Sequence, residues 1–311
     1  MSPHRAFRVT AGLALATTLL MFGLIVVGSV VRTTGSGLAC PDWPLCEGRL
    51  IPRFEAHVLI EWFHRLLALL VSLLLLATLA WSVFHREVRA RLGGLLGLAA
   101  TLLFAQILLG ALTVWKLLHP AVVSGHLAVA LLLFTCMLTT ALVADVQGDE
   151  EGTRALAARP PGLLALLAGV TAMVYAQAVL GGIVSTSHAG LACPDWPTCD
   201  GQWFPPLRGL QGLQMMHRWG AYAVTLAMMV ATLAARSAPA LEVRAGAGMA
   251  LGLTFAQVVL GVCNVLLGTP AWLSAAHIAT ATAILGLMVV TTFRVARMPA
   301  MAAQRLVAAV R

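Results

Sequence analysis

The sequence predicts an all-α integral membrane protein whose eight transmembrane helices form two parallel-repeat four-helix bundles. Three observations carry that expectation. The 311 residues are 60% hydrophobic and only 10% charged, against roughly 45–50% and about 25% in soluble globular domains. Apolar runs long enough to cross a hydrocarbon core about 30 Å thick recur along the whole length. A ten-residue string also occurs twice, as GLACPDWPLC at Gly37 to Cys46 and as GLACPDWPTC at Gly190 to Cys199. This balance excludes a water-soluble enzyme, a disordered chain and a single anchor carrying a soluble domain. In a soluble protein the formal net charge of +8 would point to nucleic acid. Here the basic residues gather between apolar spans and orient helices, so the expected partner is the lipid bilayer and not nucleic acid.

Span 1, roughly residues 9–31, follows Arg5 and Arg8. Its apolar stretch is too long for a secretory signal, and the Gly-Leu-Ala-Cys string after it recurs at Gly190 to Cys193, where no processing logic applies. It is read as a retained helix. Loop 32–57 holds Cys40 and Cys46, span 2 (roughly 58–84) Glu61, His64 and Arg65, span 3 (roughly 93–115) Gln106, and span 4 (roughly 121–144) His126. Residues 147–162, with their acids and Pro160-Pro161, read as a linker between an N-terminal half, 1–146, and a C-terminal half, 163–311. Spans 5 to 8, roughly 163–184, 210–235, 245–267 and 273–293, repeat the order. Loop 185–209 carries Cys193 and Cys199, span 6 His217 and Arg218, span 7 Gln257 and span 8 His277. Four crossings per half make the repeat parallel, about an axis along the membrane normal.

Arg5, Arg8, Arg86, Arg89, Arg91, Arg154, Arg159, Arg236, Arg244, Arg294, Arg297, Arg305 and Arg311 fall on one set of ends and loops. The opposite set holds Arg32, Arg49, Arg53, Lys116 and Arg208. The positive-inside rule then puts both termini in the cytoplasm and the two long loops outside. With no Arg- and Ser-rich transit segment before span 1, the expected location is a bacterial cytoplasmic (inner) membrane.

Nine histidines are present. His4, His57, His85, His119 and His188 sit at span edges or in loops and read as ordinary surface residues. His64, His126, His217 and His277 lie inside apolar spans, within about two turns of the outer end, where an ionisable side chain faces the bundle interior. One such histidine would read as an interhelical hydrogen bond. Four, in two matched pairs on helices 2, 4, 6 and 8, read as axial ligands that hold haem iron from both faces, with two pairs allowing two haems. Zinc is the weaker reading, because a structural zinc gathers four ligands together.

Arg65 and Arg218 each follow a ligand histidine. Their forks suit haem propionates pointing outward, or they snorkel to headgroups. Glu61 is the only acid well within a span. It lies three residues before His64, on the same helix face, and its counterpart in the second half is Gln214. One site is then chemical and the other auxiliary, with Glu61 either suited to proton transfer or serving as a structural partner for Arg65. Disulfides Cys40–Cys46 and Cys193–Cys199 are expected in outward loops, as lids over the haem edge or as a thiol relay. Cys136 and Cys263 read as buried apolar residues. Gln106, Gln177 and Gln257, each four residues before a glycine, read as helix packing.

With these residues in place, the chain resembles the haem A synthase family over its full length. The shared pattern is the ExxHR string at Glu61 to Arg65, the partner His126, the second pair His217 and His277, and both loop cysteine pairs. The resemblance implies oxidation of the C8 methyl group of haem o to a formyl group, through a hydroxymethyl stage, giving haem a for cytochrome oxidase assembly. It implies that His64 and His126 ligate the substrate haem, that Glu61 is essential, that His217 and His277 hold a haem b cofactor, and that Cys40 and Cys46 take part in function. Haem O synthase (protohaem farnesyltransferase) and an electron acceptor are the implied partners. The competing reading is a dihaem b-type membrane electron carrier, which would tend to place its haems on opposite sides of the membrane. A cofactor-free scaffold would leave the matched histidines and Glu61 unexplained.

Overall fold

The computed structural model describes residues 2–149 and 157–300. Eight helices make up almost all of it: α1 Pro3–Thr33, α2 Ala56–Phe84, α3 Arg86–Trp115, α4 Pro120–Gly148, α5 Leu163–Thr186, α6 Gly209–Ala235, α7 Leu241–Leu266 and α8 Ala271–Arg297. Each is long and apolar enough to cross a membrane, so the expected class, an all-helical multi-pass membrane protein, is what the chain forms. Loops 34–55 and 187–208 lie at one end of the bundle, called here the loop end.

Several helices outrun the apolar spans. α1 begins at Pro3 and α3 at Arg86, each about two turns before its span, and α8 continues to Arg297. Hydropathy marks the hydrocarbon depth, whereas the N–H···O ladder continues through polar turns wherever its ends are satisfied. At α1 the Ser2 hydroxyl accepts the Arg5 N–H (3.4 Å) and Pro3 occupies the first turn. His85 alone separates α2 from α3, and its ring stacks on Trp81 at 4.1 Å. The middle of the linker, residues 150–156, lies outside the described residues, as do Arg154, Arg305 and Arg311. The described part of the linker ties down the end of α8. The Arg159 N–H donates to the Pro299 carbonyl (2.9 Å), and its guanidinium donates to the carbonyls of Ala296 and Met298 (3.3 and 3.4 Å), where a cation is favoured.

Hydroxyl side chains inside the spans bond back to their own helices. Thr10, Thr18, Thr78, Thr140, Thr282 and Thr291 each donate to the carbonyl four residues earlier at 2.8–3.0 Å. These hydroxyls are thereby satisfied within an apolar surround. Leu19, Phe84, Phe104 and Val259 are largely exposed, as side chains facing lipid are.

Helix neighbours recur in the two halves. α1 packs on α2 and α4, and α3 on α2 and α4. In the same way α5 packs on α6 and α8, and α7 on α6 and α8. Between the halves α1 meets α8, α4 meets α5, and α4 meets α8. α4 is therefore central and α7 peripheral, with 44% and 11% of their spans buried. Small residues permit the close central approach: a Cβ on Gly286 would stand 3.3 Å from the Phe134 ring. Across the seam the Tyr175 hydroxyl donates to the Ala128 carbonyl (3.2 Å), and the hydroxyls of Ser124 and Thr186 lie 2.7 Å apart.

Candidate functional site

The repeated string folds twice into the same lid. Cys40 is bonded to Cys46 and Cys193 to Cys199. Beyond each ring the chain reverses: Cys46 and Arg49 exchange two backbone hydrogen bonds (3.3 and 3.0 Å), as do Cys199 and Gln202 (both 3.0 Å). The reversals run through Glu47-Gly48 and Asp200-Gly201, all at positive φ, a backbone that glycine adopts freely. One carboxylate braces each turn. Asp42 accepts the N–H groups of Glu47 (2.6 Å) and Gly48 (2.7 Å), and Asp195 accepts the Thr198 hydroxyl (2.6 Å) and the N–H groups of Asp200 (2.9 Å) and Gly201 (3.2 Å).

These donors favour the ionised acids. The Gly48 N–H, seconded by that of Glu47, holds the Asp42 carboxyl below its usual range. The Thr198 hydroxyl first, then the N–H groups of Gly201 and Asp200, bring Asp195 down to about 2 from 3.8. A depressed acid stabilises its loop above the ordinary carboxylate pKa and loses that contribution as pH falls through the depressed value. In an Asp195→Ala protein a phosphine is expected to reduce Cys193–Cys199 a few-fold faster than in the unmodified chain above about pH 4, with the ratio closing towards one near pH 2. Mass spectrometry of alkylated thiols reads both rates.

Arg65 and Arg218 turn inward to the lids. One Arg65 terminal nitrogen donates to the carbonyls of Asp42 (2.6 Å) and Leu45, and the other to the Cys40 carbonyl (3.1 Å) and to Glu61 Oε1 (2.6 Å). Arg218 donates to the carbonyls of Thr198 and Cys193, both at 2.6 Å. Neither guanidinium snorkels; both seat a disulfide ring on the helix below. Glu61 is buried, at 4% exposure, and is gripped on both oxygens, because Oε2 accepts the Cys40 N–H at 2.8 Å. Gln214 is equally buried but donates to the Gly190 carbonyl (3.3 Å), and its Oε1 has no partner. A carboxylate tied to lid and arginine in one half is thus matched by a neutral amide in the other.

The four span histidines share a feature that sequence reading missed: each ring rests on a glycine of the preceding helix. A Cβ on Gly28 of α1 would stand 3.1 Å from His64 Cε1, and on Gly110 of α3 3.4 Å from His126 Cε1. On Gly181 of α5 it would stand 2.9 Å from His217 Cε1, and on Gly261 of α7 3.1 Å from His277 Cε1. The signal was available, since Gly28 falls on Gly181 and Gly110 on Gly261 at the offsets that match the histidines. The rings of His217 and His277 stand 6.5 Å apart, centre to centre, at 73°.

The glutamines contact these rings. Gln177 Nε2 lies 2.9 Å from His217 Nδ1 and donates to the His217 carbonyl (2.7 Å), and Gln106 Nε2 lies 3.2 Å from His126 Nε2. His64 and His277 have no hydrogen bond to either ring nitrogen among the described residues, and the Nδ1 atoms of His64, His126 and His277 are enclosed without a partner.

This constellation fits haem. All four histidines are only half-buried among the described residues. Cradles that a methyl group would fill, and ring nitrogens that no protein group satisfies, suit paired imidazoles serving as axial ligands. Among the described residues no three His, Cys, Asp or Glu side chains gather to hold a bare ion, as structural zinc would need. Gly181→Ala is expected to push the His217 ring aside and weaken haem retention about 10-fold. Gly169→Ala on the same helix, with nothing within 4 Å of its Cβ, is expected to leave it unchanged. Haem-to-protein ratios of the purified variants check this.

The chain matches the family pattern described as cytochrome oxidase assembly protein, COX15-CtaA, over residues 11–59 and 52–289. It is 34% identical to the haem A synthase of Symbiobacterium thermophilum, with 80% of this chain and 83% of that protein covered. It is 33% identical to the haem A synthase of Methylobacterium radiotolerans (86% and 84% covered), and 28% identical to that of Geobacillus kaustophilus (93% of both).

Proposed function

Because this chain belongs to the COX15-CtaA family of cytochrome oxidase assembly proteins, the haem A synthases, we propose that it oxidises the C8 methyl group of haem o to a formyl group, yielding haem a. The single observation that carries the assignment of roles is the contrast between Glu61 and Gln214 beside otherwise matched histidine pairs. On this reading residues 1–146 hold the substrate haem between His64 and His126, and residues 163–311 hold haem b between His217 and His277, joined by 147–162. Haem b, when bound, supplies one-electron redox chemistry.

The chain's own groups position and protect. Gln177 anchors His217 by ring edge and carbonyl, and Gln106 contacts the His126 ring, so one histidine of each pair is steadied by a glutamine of the preceding helix. Glu61 orients, or takes a proton from, the oxygen nucleophile that reaches the methyl carbon. Each of its oxygens keeps an acceptor site beyond the bond it already makes. Arg65 and Arg218 hold the two lids, which keep bulk water from the haem edge. If water supplies the oxygen, converting CH3 to CHO releases four electrons and four protons, so an electron acceptor is a required partner, and a haem O synthase supplies the substrate. The loop end faces outward and both termini lie in the cytoplasm of a bacterial inner membrane, as the arginine distribution supports.

A dihaem carrier fits less well. His64 and His217 each lie eight residues after their helix begins, and His126 and His277 six, which puts all four at the loop end. Cells that make haem o but no haem a, given this chain, are expected to yield haem a or its hydroxymethyl intermediate on chromatography of extracted haems. Haem b and haem o alone would assign the carrier role instead.

A further inference from the structure

Every acid at the loop end of the first half is engaged. Asp42 braces its turn, Glu47 and Glu55 pair with Arg53 (2.8 and 3.2 Å), and Glu61 pairs with Arg65. Arg32, near the loop end of α1, is left over. It is half-buried, its Nε is enclosed without a hydrogen-bond partner, and among the described residues its guanidinium joins no ion pair. A cation drawn out of water with no counter-charge is unfavourable, so this position calls for an anion from outside the chain.

Its place in the fold says which one. Arg32 lies four residues after Gly28 and so on the same face of α1, and Gly28 is where the His64 ring rests. Helical side chains lean towards the helix N-terminus, which carries the Arg32 stem back towards the level of His64. At the offset that takes Gly28 to Gly181, Arg32 falls on Ser185, so the second half has no counterpart. The terminal nitrogens of Arg65 and Arg218 already bond to lid carbonyls, leaving Arg32 as the unclaimed guanidinium beside the first pair of histidines.

We infer that Arg32 binds a propionate carboxylate of the substrate haem and thereby sets which edge of that haem faces the loop end. This rests on reading the first half as the substrate site. A lipid phosphate offers similar anionic oxygens, but an enclosed Nε on the α1 face that carries Gly28 favours a ligand inside the bundle.

The purified protein, its second site filled, is titrated in nanodiscs with ferric haem o and with its dimethyl ester, following the Soret difference spectrum. The unmodified chain is expected to bind the acid about 10- to 100-fold more tightly than the ester, the scale of one charge-assisted hydrogen bond. Arg32→Gln and Arg32→Met are both expected to lose that preference while binding the ester as before. Variants that keep the full preference would overturn the inference. So would binding that ignores esterification and follows the anionic lipid content, which would give Arg32 to headgroups. His64→Ala separates the premise: if it retains full haem o affinity, the first half is not the substrate site and the inference falls with it.

Discussion

A Glu61→Gln protein is expected to fold, to keep both haems and to make haem a about 10²- to 10⁴-fold more slowly, the range contributed by a positioned acid or base. The change is nearly isosteric, and the second half already tolerates Gln214 at the matching position beside Arg218. The amide oxygen can still accept the Cys40 N–H that Glu61 Oε2 now takes at 2.8 Å. What disappears is the negative charge facing Arg65 and the ability to accept a proton. A charge-assisted bond of this kind contributes about 1.5–3 kcal/mol, so some loosening of the first lid accompanies the loss of turnover. Haem extraction from cells supplied with haem o reads the outcome: haem o accumulates and haem a falls away. Normal haem a from this variant would reduce Glu61 to a structural partner of Arg65.

His217→Ala is expected to abolish the spectrum of the resident haem. The imidazole is replaced by a methyl group over the Gly181 cradle, Gln177 loses the ring it contacts at 2.9 Å, and His277 alone is left to ligate iron. The peptide bond that receives the second Gln177 hydrogen bond is unchanged, so the helix pair should persist and the protein should purify without the Soret contribution of the resident haem. An unaltered spectrum would remove His217 from the ligand set. His64→Ala is expected to leave that spectrum in place, because the two pairs belong to different halves of the contact pattern.

Much of this was legible in the sequence, for definite reasons. The eight spans show because hydrocarbon thickness fixes the length of an apolar run. The histidine pairs and the Glu61–Gln214 contrast show because the repeat lays one half over the other. The disulfides show because two nearly identical strings place cysteines six apart in polar loops. Helix ends were less legible: α1 and α3 continue through arginine-bearing turns that hydropathy cannot assign. The lid contacts of Arg65 and Arg218 were hidden for another reason. Their partners are backbone carbonyls of Asp42, Leu45, Cys40, Cys193 and Thr198, which every residue type presents alike. Gln106 and Gln177 read as helix packing, and they do bridge helices, but onto His126 and His217. The glycine cradles required knowing which helix lies beside which. Arg32 could be recognised as unpaired only once every neighbouring acid had been given its partner.

The most direct measurement compares the haems extracted from two purified variants made in cells that produce haem o. From His64→Ala the expected extract is haem b alone. From His217→Ala it is haem o, without haem b. The same haem recovered from both variants would contradict the division of the chain into a half that holds substrate and a half that holds cofactor.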